Sequence, residues 1–149
     1  MRVTLHRSPT LGSADLAAVR EAAIAPLLRR SGDLLGVPQR AGLAVRLTDD
    51  AELRTLNARH ARVDRPTDVL AFPGDRGWIG DIAIAVPTAR AQNPGNPGGE
   101  LRLLAVHGLL HCLGHDHHEP RGAARMTAET RRLLPGEAIP DLVAVPPGE

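Results

Sequence analysis

The chain has 149 residues, a formal net charge of +1 and an apolar content of 42%, which suits one domain with its own core and excludes a globally basic nucleic-acid binder; any such surface must be a local patch. One cysteine, Cys112, excludes an intrachain disulfide. No apolar run approaches the ~20 residues that span a bilayer, and the N-terminus lacks a basic-then-apolar signal pattern, so a cytoplasmic protein with no membrane partner is expected.

Phe72 and Trp78 are the only Phe, Trp or Tyr residues, so the core must be built from Leu, Val, Ile and Ala. Residues 1–7 alternate, with Val3 and Leu5 on one face, as a half-buried strand does. Ser13 is the expected N-cap of a helix over about residues 14–30, kinked or interrupted by Pro26. Ser31-Gly32 and Gly36-Val37-Pro38 read as loop. Leu43, Val45 and Leu47 mark a second strand. Asp49 caps the next helix, with Glu52 in a capping-box arrangement; that helix turns Leu53 and Leu56 inward and ends near His60. Residues 67–72 and 78–86 form a third and a fourth strand. Too little chain separates them for a crossover helix, so they are antiparallel neighbours. Pro87 opens a short helix over 88–92. Residues 93–99, rich in proline and glycine, read as a mobile loop. From Glu100, apolar residues such as Leu104, Val106, Leu109 and Leu113 cover nearly the whole circumference of a helix, which must lie buried in the domain. Pro120 opens the last helix, to about Leu134. The expected fold is α+β: one metallo-hydrolase domain over residues 1–134, a small mixed four-stranded sheet packed with helices around a buried histidine helix. Residues 135–149 are expected to be a proline-rich, partly disordered tail.

Five of the seven histidines lie between residues 107 and 118. His107 and His111 are four apart, one above the other on a helix face. Gly114 tolerates the left-handed conformation that ends a helix and turns the chain back, and His117 follows at the right reach. Three imidazoles can hold one Zn2+ and leave the fourth tetrahedral position open, the mark of a catalytic rather than a structural site. Histidine also suits other divalent metals. Cys112 reads as a small buried hydrophobe rather than a thiolate ligand.

The spacing His-x3-His-x2-Gly-x2-His is that of the long zinc motif of metalloproteases, which makes the expected fold zincin-like. Those enzymes carry a glutamate after the first histidine as general base. Here that position is Gly108, so peptide hydrolysis by the usual route loses its base. Zinc would still lower the pKa of its water from about 15.7 to about 7 and polarise a phosphoryl oxygen. A phosphodiester also needs positive charge near its developing oxyanion. Arg54, Arg59, Arg62 and Arg65, with His60 and against the one acid Asp64, offer it, although arginines at helical spacing also describe a solvated helix face.

Residues 107–117, HGLLHCLGHDH, resemble the signature of the bacterial YbeY family of rRNA maturation factors, single-strand-specific metallo-endoribonucleases. Leu56-Asn57 with residues 65–73, RPTDVLAFP, is similar to that family's second block, and Gly80-Asp81-Ile82-Ala83-Ile84 to its third. The resemblance covers about residues 43–134. It implies a zinc-dependent endoribonuclease acting on single-stranded rRNA, in maturation of the 16S rRNA 3′ end and in ribosome quality control. Its partners would be RNA and the ribosome, with no DNA expected. By position, His107, His111 and His117 would hold the metal. The family's functional arginine falls on Ala61; the neighbouring Arg62 and Arg59 are the candidates to supply that charge. The family's serine falls on Ala71. Asp116 either orients a ligand histidine or caps the turn between helices. Asp68 and Asp81 either face the site or cap loops, with a structural role favoured. Two rival readings are a ribosome-associated RNA-binding protein with a structural zinc and a metal-dependent hydrolase of another substrate.

Overall fold

The computed structural model describes residues 1–61 and 67–145. Strands β1 (Arg2–Arg7), β2 (Gly42–Thr48) and β4 (Trp78–Ala85) are parallel, and β3 (Val69–Pro73) joins β4 antiparallel, giving the order β1-β2-β4-β3. Because strand side chains alternate, Leu43, Val45, Leu47, Ile82 and Ile84 share one face, and each is at most 1% exposed. Removing such a side chain from water contributes about 1.5–3 kcal/mol. On the other face Leu70, Ala83 and Ala85 meet Leu53 and Leu56 of α3 (Asp50–Leu56).

The first expected helix is two, α1 (Ser13–Ala22) and α2 (Ile24–Leu34). The break falls at Ala23, with φ 48°, rather than at Pro26 itself. In a continuous helix the Pro26 ring would press on the Ala22 carbonyl and offer it no N–H. Restarting at Ile24 puts Pro26 in a first turn, whose N–H groups have no helical partner anyway. Gly12, not Ser13, is the N-cap, and its N–H donates to Asp15 Oδ2 at 3.0 Å. Ser31-Gly32 is helix rather than loop. The Ser31 hydroxyl donates to the Leu27 carbonyl at 2.8 Å, and a Cβ on Gly32 would lie 3.0 Å from Met1 Cβ.

Asp49 caps α3 as expected, accepting from Glu52 N at 2.8 Å, while the Glu52 carboxylate turns to the Arg46 guanidinium. The chain then runs through a π-helical turn, Asn57–Ala61, which no sequence pattern announced. After α4 (Val86–Gln92), helix α5 (Pro97–Cys112) begins three residues before Glu100. Residues 97–99 are therefore helix rather than mobile loop. Asn96 Oδ1 accepts from Gly99 N at 3.0 Å and Pro97 opens the first turn, so the Asn-Pro-Gly-Gly run that reads as a breaker is a helix start.

α5 is apolar all round and sits centrally. Leu101, Ala105 and Leu109 join the sheet core, and Val106 and Leu110 meet Leu27 of α2 and Met126 and Leu133 of α6 (Pro120–Leu133). Residues 135–145 have no regular structure but are tied down. Glu137 pairs with Arg102 at 2.9 Å, Asp141 pairs with Arg131 at 2.8 Å, Leu142 N donates to Thr127 Oγ1 at 3.0 Å, and Val145 N donates to the His117 carbonyl at 2.8 Å. Pro146 and Pro147 of the expected tail lie outside the described residues. Among those described, no helix is long and apolar enough to cross a membrane.

Candidate metal centre and active site

The last two turns of α5 carry His107 and His111, and helical period alone sets them on one face. Their Nε2 atoms are 3.0 Å apart. Two nitrogens bound at about 2.0–2.1 Å to one tetrahedral ion would be about 3.3 Å apart, so the pair is close to ligand spacing without a backbone change. The helix then ends in a hydrogen-bonded reversal. Gly114 N donates to the His111 carbonyl and His115 N to the Leu110 carbonyl, each at 3.0 Å, with Gly114 at φ 97°. This turn swings His117 back over α5, its ring centroid 5.5 Å from that of His107 and 5.3 Å from that of His111. One potential ligand atom from each of the three lies within 4.8 Å of the others.

These residues fit a divalent metal. His117 Nδ1 is buried and has no hydrogen-bond partner among the described residues, and a buried orphan of this kind calls for a partner. Burial, then the neighbouring imidazoles His111 and His117, push the His107 pKa down to about 3. His111 is lowered too, by burial and then by His117. Neutral imidazole is the form that donates a lone pair to a metal. Burial also pushes the Cys112 thiol up to about 11, so it stays protonated among apolar neighbours, in keeping with a hydrophobic role.

Gly108 has a packing reason. A Cβ there would lie 2.8 Å from Ile82 Cγ2, so α5 could not lie this close to β4 with a larger residue. The position that carries a general base in metalloproteases is here a contact between helix and sheet.

A cleft of about 660 Å3 opens over the histidines, lined on one side by Thr67, Asp68, Val69, Ala71 and Pro73 and on the other by His107, His111, His117, His118 and Leu142. Asp68 therefore faces the site, while its carbonyl accepts from Ala85 N. Burial, then the charge of Asp68, raises the pKa of Glu100. Asp81 accepts from Trp78 Nε1 at 3.1 Å and lines a separate hollow with Thr4, His6 and Arg46. Asp116 Oδ1 accepts from His118 N at 3.2 Å, a bond that closes the turn, and lies 3.8 Å from His118 Nδ1. Arg59 is exposed on the π-helical turn, whose next residue, His60, packs edge-on against Phe72 of β3 with ring centroids 5.0 Å apart. Arg62, Asp64 and Arg65 lie outside the described residues. Leu142 and the main chain of Val145 are site neighbours that the sequence did not signal, because their contacts come from a segment without periodicity.

The family described as Endoribonuclease YbeY matches residues 14–136. Proteins named Endoribonuclease YbeY are similar to this chain. One from Gloeobacter violaceus is 45% identical over 63% of this chain and 56% of its own length. One from Moorella thermoacetica is 42% identical over 70% and 78%. One from Azorhizobium caulinodans is 36% identical over 89% and 88%. The chain thus spans a little over half the length of the Gloeobacter relative and 60% of one from Rhodopseudomonas palustris. The fold is similar to the solution structure of a Thermotoga maritima protein, with a TM-score of 0.54, 24% identity and coverage of 89% of this chain and 86% of that one. Matched over residues 14–136 by that family, and over most of both chains by the Moorella and Azorhizobium relatives, the chain belongs to the YbeY endoribonuclease family.

Proposed function

We propose that this protein is a cytoplasmic, zinc-dependent endoribonuclease that cleaves single-stranded ribosomal RNA. In this reading it matures the 16S rRNA 3′ end and takes part in ribosome quality control. The observation that carries the proposal is the meeting of three imidazoles in one open cleft. Family membership supports the reaction class, since the relatives bear the name endoribonuclease.

His107, His111 and His117 hold the metal. When bound, it supplies Lewis acidity toward a phosphoryl oxygen and makes water more acidic. The protein's residues do the rest. α5 fixes two ligands, the Gly114 turn presents the third, and Asp116 holds the turn that carries His117 and His118. Arg59 and Arg62 are the proposed source of positive charge for the phosphodiester, Arg59 from a turn packed on the strand that walls the cleft. Residues 1–134 form the metallo-hydrolase domain, and residues 135–149 follow as its C-terminal segment.

The test pairs metal analysis with RNA cleavage by wild type and His111→Ala. Wild type should carry about one metal per chain and cut single-stranded RNA; the variant should do neither. Equal metal in both would sink the ligand assignment. Metal-dependent folding without cleavage would favour an RNA-binding protein with a structural zinc. Cleavage of peptide or simple phosphodiester substrates in preference to RNA would favour another hydrolase.

A further inference from the structure

Among the described residues β3 is the edge strand of the sheet, and the side it turns away from β4 borders the histidine cleft. The ladder fixes which groups point there. Ala85 N donates to the Asp68 carbonyl and Gly74 N to the Ile79 carbonyl, each at 2.9 Å, on either side of a continuous antiparallel register. Antiparallel pairs alternate between bonded and non-bonded. Leu70 and Phe72 therefore face β4, and the main-chain groups of Val69 and Ala71, with the Pro73 carbonyl, face away from it. On this outward side the Thr67 hydroxyl donates to the Val69 carbonyl at 3.5 Å, which uses one of the two lone pairs of that oxygen and leaves the other for a base.

We propose that this edge is the track for the RNA, and that the N–H and C=O of Ala71 and Val69 hydrogen-bond the Watson–Crick edges of successive unpaired bases. The proposal rests on the endoribonuclease reading and names how the substrate is selected. Every base carries a donor beside an acceptor on that edge, so a residue offering one N–H and one C=O can engage any of them. In a duplex those groups are already used. Spacing adds to this. Val69 and Ala71 present their groups about 6.8 Å apart, two stacking intervals of about 3.4 Å. Adjacent bases reach both only when unstacked and splayed. The edge thus selects single strands without selecting sequence, and it does so beside the proposed metal ligands. Pro73, which has no N–H, ends the track.

Three measurements test this. Ala71→Pro removes the outward N–H and no ladder bond; cleavage of a single-stranded oligonucleotide should fall about tenfold in kcat/KM, with metal content and circular dichroism unchanged. An oligonucleotide of N3-methyluridine, whose Watson–Crick edge is blocked, should be cut by wild type about tenfold more slowly than its uridine counterpart. A 2′-O-methyl oligonucleotide in excess over the protein should slow amide exchange at Val69 and Ala71. If Ala71→Pro does not fold, the last two decide on wild type. Cleavage indifferent to both the variant and the methylated base would overturn this proposal alone. Failure of wild type to cut any RNA would overturn it together with the endoribonuclease reading. Protection of the Ala71 amide that grows with protein concentration without RNA, with a dimer by mass, would assign the edge to a second copy and overturn it too.

Discussion

The two halves of the histidine set are held in different ways. His107 and His111 lie on consecutive turns of a central helix that has no exposed residue, so their separation follows from the helical repeat and is locked by Leu109 and Leu110, both 0% exposed. His117 stands on an exposed turn. It is held by the left-handed Gly114 and by one hydrogen bond from Val145 to its carbonyl. Two ligands are pre-organised by the core and one by local turn chemistry. Changes to the core that packs the first two should cost folding, and changes near the third should cost metal affinity while sparing the fold.

The largest expected effect is at the rigid pair. His111→Ala should abolish metal binding and lower RNA cleavage on the order of 10³-fold or more, read by metal analysis and cleavage rate, while far-UV circular dichroism is retained. Leu109→Ala attacks the same helix from its buried face and should destabilise by about 2–5 kcal/mol in urea titrations. A loss below about 1 kcal/mol would mean that α5 is not the rigid half.

Acid sharpens the comparison in the metal-free protein. Above His107's ordinary pKa of 6.5 the folded and unfolded chains both carry it neutral, and it adds no pH dependence. Between 6.5 and about 3 the unfolded chain binds a proton that the folded chain refuses. Stability should therefore fall as pH falls through this window, by roughly 1.4 kcal/mol per pH unit from this group. Melts of stripped protein at several pH values, with His107→Gln as reference, measure the slope; the variant should lose the His107 share and keep what His111, lowered too, contributes.

The flexible half should respond more weakly. Gly114→Ala places a Cβ at φ 97°, a conformation that costs about 1–2 kcal/mol. It should weaken metal binding by up to about tenfold with a smaller change in melting temperature. Val145→Pro removes the N–H that reaches the His117 carbonyl at 2.8 Å. One hydrogen bond of about 0.5–1.5 kcal/mol corresponds to a metal affinity three- to tenfold lower, read by competition with a chelator. If Val145→Pro unfolds the protein, the segment is structural and the division between the halves fails.

Much of the site was legible because its signals are local. His107, His111, Gly114 and His117 fall within eleven consecutive residues, and the helical repeat and one glycine turn relate them. Pro26 announced an interruption but not its place at Ala23, and the start misread at Asn96-Pro97 turns on whether a proline interrupts a helix or opens one, which the local residues leave open. The π-helical turn under Arg59 left no periodic trace. Leu142 and Val145 reach the site from a segment with no pattern, through contacts with α6 and the His117 turn.

By itself the sequence determined the period-bound features: alternating strands, an all-round apolar helix, and the spacing of three imidazoles along the chain. Only the tertiary structure decided that β3 lies at the edge of the described sheet with its outward side toward those imidazoles, that Gly108 is a contact with Ile82, and that Val145 anchors His117. The reason is range. Period and turn chemistry act over a few residues, whereas a cleft is made where distant segments pack, and packing depends on the shape of the whole core.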